Sequence, residues 1–325
     1  MTLDGDGNGA GGPTGLRHRV LIAGSPAERE DVVDASVAVA LEEGDPLLLI
    51  VDEPEATRLR RRLGPSVAGA TVIDLDDFYT EPAWTLARFR HEVETRAAAG
   101  ATLRVVAQPR WWDRPAAERE GWLSVEAVAN AAFASAPLEV LCTYDGTAPP
   151  DVLEGARHTH PEVVVDGRPR HNAAYTDPAL YCTRHRDRPL PPLPQPVEEQ
   201  PFNGATLAGL RRAVAAWATA GGLPPSRVPE VVLALHEVTT NSVRHGGGEG
   251  TLRLAAPSGG ELVAEVEDAG VIAAPFAGLL PPPRTGDGGY GLWLVHQLVE
   301  LVEIRSGPSG SVVRLHARRP AGAPS

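Results

Sequence analysis

The sequence predicts two α/β domains joined by a proline-rich segment, and three observations carry that prediction. Strand-length apolar runs alternate with helix-length runs from Arg19 to Tyr144, the pattern of a mostly parallel, three-layer sheet domain covered on both faces. Residues 183–201 (TRHRDRPLPPLPQPVEEQP) carry Pro189, Pro191, Pro192, Pro194 and Pro196, a density that opposes helix and sheet ladder alike and reads as an extended, semi-stiff spacer. Beyond it, two helical runs precede strands paired across Gly/Pro/Ser turns, as in a two-layer α/β sandwich. With 325 residues, 42% of them apolar, the chain can bury two cores. The expected layout is a leader at 1–16, an α/β domain at 17–182, the spacer at 183–201 and a second α/β domain at 202–319.

Met1 to Gly15 is rich in Gly and Asp and is expected to be disordered. Val20–Ala23 reads as the first strand and Pro26–Glu43 as the first helix; Pro46–Val51 is a strand buried on both faces, followed by a helix at Glu55–Leu63. Strands at Ala70–Leu75, Leu103–Ala107 and Leu138–Tyr144 alternate with helices near Trp84–Ala99 and Glu118–Ser135. The turn after the first strand, Gly24-Ser25-Pro26-Ala27-Glu28-Arg29, contains neither G-x-x-x-x-G-K-[ST] nor G-x-G-x-x-G, and Glu28 would repel a phosphate. The domain therefore reads as non-catalytic. Asp52, Asp74, Asp76, Gln108, Trp111 and Tyr144 fall at strand ends, where open parallel sheets hold ligands. The spacing of His158, His160, His171, Cys142 and Cys182 fits no zinc template, so no metal is expected from it.

In the second domain, Ala205–Ala220 is an amphipathic helix closed by Gly221-Gly222. A second helix, Val228–His245, has Ser226 as its expected N-cap and Gly246–Gly248 as its stop. On it Glu237, Asn241 and His245 share one face at i, i+4 and i+8, while Val231, Val232, Leu235, Val238 and Val243 can be buried. A carboxamide oxygen is a hard ligand suited to Mg²⁺, and a carboxylate one turn away can orient or deprotonate a nucleophile. Thr251–Ala256 and Glu261–Glu267 pair across Pro257–Gly260, and the second strand runs into Asp268-Ala269-Gly270. That Asp can accept from an exocyclic amine, and the Gly admits a flat ring close to the backbone. Ala273–Gly288 has the length of a lid. Gly289-Tyr290-Gly291-Leu292 then opens a helix expected at Leu292–Leu301, offering backbone N–H groups and a positive helix end to an anion. Val302–Ser306 and Ser311–Ala317 close the domain as a hairpin.

In this order, E-x-x-x-N-x-x-x-H on a helix, D-x-G after a strand and G-x-G-L opening a second helix resemble the GHKL (Bergerat-fold) ATP-binding module. The compact form, from about Pro201 to Arg318, is most similar to the anti-sigma-factor serine kinases. The resemblance implies ATP and Mg²⁺ as cofactors. It makes Asn241 the Mg²⁺ ligand, Glu237 the catalytic base, Asp268 with Gly270 the adenine reader, and Gly289, Gly291 and Leu292 the phosphate-side residues. His245 ends the helix motif in a supporting role, and Arg284 lies in the lid, where a phosphate or a partner could meet it. The N-terminal half resembles the MEDS sensory domain, a degenerate recombinase-like α/β fold. The matching stretches are Val20–Gly24, Phe78-Tyr79, Glu126–Asn130, Leu141–Asp145 and Thr159–Pro161, and they imply small-molecule signal input.

The glycine box departs from the family pattern, being one G-x-G-L flanked by Gly286 and Gly288. Only one helix fits between Pro201 and Arg227, which disfavours a sensor histidine kinase, and no transducer domain follows Arg318. The implied function is a signal-responsive anti-sigma regulator that phosphorylates Ser/Thr of a STAS-type antagonist. The alternative is a catalytically silent, ATP-gated binding module controlling a sigma factor or another partner. A homodimer is implied by the family. The formal charge of -12 argues against a nucleic-acid partner. Two cysteines, no membrane-length apolar run and no signal peptide lead to the expectation of a cytoplasmic protein.

Overall fold

A computed structural model of the chain describes residues 15–96, 101–257, 260–281 and 289–318. Residues 1–14 of the expected leader lie outside the described residues. The chain divides into two compact units. The first comprises Met1–Thr80, Ala87–Asp113 and Ala129–Thr176, and the second Glu81–Leu86, Arg114–Val128 and Asp177–Ser325. No helix among the described residues is long and apolar enough to cross a membrane.

The N-terminal elements run β1 (Arg17–Ala23), α1 (Pro26–Glu43), β2 (Leu47–Val51), α2 (Glu53–Leu63), a 3-10 turn at Gly64–Gly69, β3 (Thr71–Asp74) and α3 (Leu75–Phe78). There follow α4 (Pro82–Arg96), β4 (Leu103–Ala107), α5 (Ala116–Ala132), β5 (Leu138–Asp145), α6 (Pro150–Thr159), β6 (Glu162–Val165) and β7 (Arg168–His171). The strands form one sheet in the order β3-β2-β4-β5-β1-β6-β7. It is parallel except for β7, which pairs antiparallel with β6. Every residue of β2 is buried, as a strand covered on both faces requires. Val33, Val37, Leu49, Leu59 and Val106 pack into one cluster on this sheet.

In the turn after β1 the capping groups bond one another. Ser25 Oγ accepts from Glu28 N at 3.2 Å and Glu28 Oε2 accepts from Gly24 N at 2.8 Å. This reciprocal cap places the chain's own carboxylate on an amide that a phosphate would use. Several strand-end polar groups also serve as caps. Asp52 accepts from Glu55 N at 3.0 Å, Asp74 accepts from Asp76 N at 2.9 Å, and Gln108 Oε1 accepts from Asp52 N at 3.1 Å. Trp111 and Tyr144 are buried edge to face, with centroids 6.2 Å apart.

The C-terminal elements are α7 (Pro178–Thr183), β8 (Val197–Asn203), α8 (Leu207–Ala220), α9 (Val228–His245), β9 (Glu249–Ala255), β10 (Glu261–Asp268), α10 (Tyr290–Leu298), β11 (Leu301–Gly307) and β12 (Gly310–Arg318). An antiparallel sheet in the order β11-β12-β10-β9-β8 carries α8, α9 and α10 against it. Leu210, Trp217, Leu235, Val238, Val266 and Leu315 belong to the shared core.

Three sequence expectations are corrected here. The end of the spacer does enter a ladder, because β8 pairs with β9 and Pro201 sits opposite Thr251. An edge strand tolerates proline, whose missing N–H costs nothing on the side away from the partner. Ser226 does not cap α9: Arg227 is the N-cap without a side-chain cap bond, and Pro229 occupies the first turn. Helix α10 begins at Tyr290 and ends at Leu298 rather than spanning Leu292–Leu301, since Leu301 already pairs with His316 in the closing hairpin.

Candidate functional site

Helix α9 is organised by what it buries. Val231, Ala234, Leu235 and Val238 face the core, which leaves Glu237 and Asn241 half-buried and His245 exposed along the opposite stripe. Helix α10 starts against that stripe. Its N-cap, Gly289, sits at φ 91° and ψ −4°, a left-handed conformation that favours glycine. No side chain caps the first turn, so its N–H groups keep their capacity to meet an anion. A Cβ added to Gly291 would lie 3.0 Å from Glu237 Oε2 and 3.2 Å from Asn241 Nδ2. The backbone of α10 thus approaches this carboxylate and carboxamide as closely as a glycine allows.

The third element is the end of β10. Asp268 Oδ1 accepts from Gly270 N–H at 2.8 Å, and Oδ2 accepts from Ser242 Oγ at 2.6 Å. The carboxylate is fixed from both sides, and each oxygen retains a lone pair for a further donor. Gly270 is required by contact as well: a Cβ there would stand 2.8 Å from both Gly246 Cα and His245 O. Ala269 N donates to Gly246 O at 3.1 Å, joining the strand end to the end of α9.

Glu237, Asn241, His245, Asp268, Gly270, Gly289, Gly291 and Leu292 all line one open cleft of about 1040 Å³. The structure therefore brings together every residue singled out on α9, β10 and α10. Arg284, Gly286 and Gly288 lie outside the described residues. His296 is buried on α10, and burial pushes its pKa down to about 4.

Ser242 was invisible to a reading based on the exposed stripe of α9. It is almost wholly buried, four residues beyond Val238 on the apolar face, and a hydroxyl there needs a partner. A polar residue on a buried stripe, as Thr239 also is, is the signal that points to it.

Family models match both halves of the chain. Residues 201–317 match the histidine kinase-like ATPase domain. The C-terminal part is a GHKL-type ATPase domain. Residues 17–161 match the MEDS (MEthanogen/methylotroph, DcmR Sensory) domain, so the chain combines a MEDS domain with a histidine kinase-like ATPase domain. The crystal structure of the RsbU and RsbW domains of Rv1364c from Mycobacterium tuberculosis is 22% identical, with a TM-score of 0.30. That match covers 41% of this chain and 35% of the other, so this chain spans about a third of that protein's length. No curated protein matches the chain.

For the ATPase domain the donor set fits a magnesium nucleotide. Asn241 offers a carboxamide oxygen to a hard cation, Asp268 a fixed acceptor, and the α10 terminus an uncapped row of amides.

Proposed function

We propose that the ATPase domain binds Mg-ATP in the α9–β10–α10 cleft and that the chain is a protein serine/threonine kinase acting on a small STAS-type anti-sigma antagonist. The observation that carries this reading is the approach of the α10 first turn to Glu237 and Asn241, 3.0 and 3.2 Å from a Cβ at Gly291. It sets a carboxylate beside the position where helix-terminal amides would hold a terminal phosphate.

In this reading Asn241 holds Mg²⁺, Asp268 accepts the adenine amine, and Gly289, Gly291 and Leu292 contribute backbone donors to the phosphates. Glu237 orients the incoming serine or threonine hydroxyl and takes its proton. Phosphoryl transfer needs little beyond positioning and charge stabilisation, and a rigid pair one turn apart on α9 supplies the positioning. The MEDS domain supplies signal input from a small molecule, and the kinase output acts on sigma-factor availability through the antagonist.

Glu237→Gln separates binding from transfer. The variant is expected to bind Mg-ATP within about threefold of wild type, while transfer falls by about 10²-fold or more. Equal transfer by both proteins removes the base assignment. ATP binding without transfer to any STAS-type protein by the wild type makes the chain a nucleotide-gated binder instead.

A further inference from the structure

Within the first unit, three side chains that no motif connects converge inside the fold. His18 lies on β1, Cys142 on the neighbouring strand β5, and His160 just after α6. His18 and Cys142 are each 3% exposed and His160 is fully buried. Their ligating atoms all lie within 4.8 Å of one another. The His18 and His160 rings are 4.0 Å apart between centroids, and His18 Nε2 is 3.5 Å from Cys142 Sγ.

The surrounding hydrogen bonds decide which nitrogens face this point. Asn130 Nδ2 donates to Thr159 O at 2.8 Å, which turns its Oδ1 toward His18 Nδ1 at 3.1 Å. An amide oxygen can only accept, so His18 Nδ1 carries the proton and Nε2 the lone pair. His160 Nδ1 faces the Ala156 carbonyl at 2.8 Å, which likewise makes Nδ1 the donor and leaves the lone pair on Nε2. Two imidazoles, each held by an oxygen on Nδ1, form the arrangement that metal-binding histidines use to fix tautomer and ring orientation.

We propose that His18, Cys142 and His160 form a buried site for a thiophilic divalent ion of the zinc class, held by Nε2 of each histidine and the Cys142 thiolate. The donor set selects the metal. Sulfur and imidazole suit zinc and its borderline-soft neighbours, whereas magnesium and calcium take oxygen ligands. The spacing agrees: metal–sulfur and metal–nitrogen bonds of about 2.3 and 2.05 Å at a tetrahedral angle put S and N about 3.6 Å apart, against 3.5 Å between Cys142 Sγ and His18 Nε2. Coordination replaces the Cys142 S–H bond with a metal–sulfur bond and releases one proton to solvent. The ion would tie β1, β5 and the start of β6 into one structural knot.

Sequence spacing could not show this site, because its ligands lie on β1, β5 and the α6–β6 junction, 124 and 18 residues apart.

The test uses the full chain. Metal content is measured on purified protein by mass spectrometry, and the chelator-treated protein is titrated with Co²⁺ while the thiolate-to-cobalt charge-transfer absorption is followed. One ion per chain is expected, with the band saturating at one equivalent. Cys142→Ser should abolish the band, Cys182→Ser should leave it intact, and Asn130→Ala should weaken binding by about 10–100-fold. If Cys142→Ser does not fold, zinc protection of Cys142 from alkylation in the wild type, read by peptide mass, replaces it. A folded wild type that takes up no stoichiometric cobalt, a band that survives Cys142→Ser, or a Cys142 alkylated equally with and without zinc would overturn the site.

Discussion

At Gly291 the cleft depends on the absence of one methyl group. A Cβ there would press on Glu237 and Asn241, yet alanine is the better helix former by about 1 kcal/mol. Gly291→Ala is therefore expected to keep or raise thermal stability while ATP affinity, measured by calorimetry, drops by about tenfold or more. Unchanged affinity would contradict the close approach of α10. At Asp268 the two hydrogen bonds from Ser242 and Gly270 hold a full carboxylate in place. Asp268→Asn substitutes a group that must turn one donor toward them, and about a tenfold or larger loss in ATP affinity is expected, with little change in folding.

His296 yields a pH dependence whose sign follows from its burial. Its pKa is about 4 in the fold against 6.5 for the ordinary group. Between those values the unfolded chain binds the extra proton, so the contribution of the neutral ring is complete above about pH 6.5 and is lost as pH falls toward about 4. The full span corresponds to about 3 kcal/mol. The melting temperature of the wild type should fall more steeply than that of His296→Gln between about pH 7 and about pH 5. Parallel slopes would show that the ring is not held neutral.

At the scale of elements, α9 does two tasks at once, and this is why it was legible in the sequence. Its apolar stripe fixes its length and rotation, and rotation alone decides that Glu237, Asn241 and His245 share the opposite face. Leu235, 1% exposed, should cost about 2–5 kcal/mol on replacement by alanine. Leu233 at 38% exposed should cost less than about 1 kcal/mol, a contrast that urea unfolding can measure. Other elements left no such trace. All four residues of β7 are exposed, and its sequence Arg168-Pro169-Arg170-His171 alternates nothing; it exists because β6 offers it a sheet edge. β8 was hidden by the prolines around it for the same reason, since an edge strand is specified by its one neighbour. The boundaries of α10 were misplaced because Leu301 and Val302 continue its apolar run while belonging to the next strand.

Across the whole molecule, the alternation of strands and helices and the order of three short motifs were enough to read a MEDS domain and a GHKL ATPase domain, both matched by family models. What escaped were groups brought together only by tertiary structure. Ser242 acts on Asp268 from another element, and His18, Cys142 and His160 meet without a common motif. The claim that unites the cleft is phosphoryl transfer from Mg-ATP to a partner. The most direct measurement is the intact mass of STAS-type proteins after incubation with the full chain and Mg-ATP. A phosphate-sized gain on one partner, absent with Glu237→Gln and with Asn241→Ala, is expected; a wild type that binds ATP and leaves every partner's mass unchanged would contradict it.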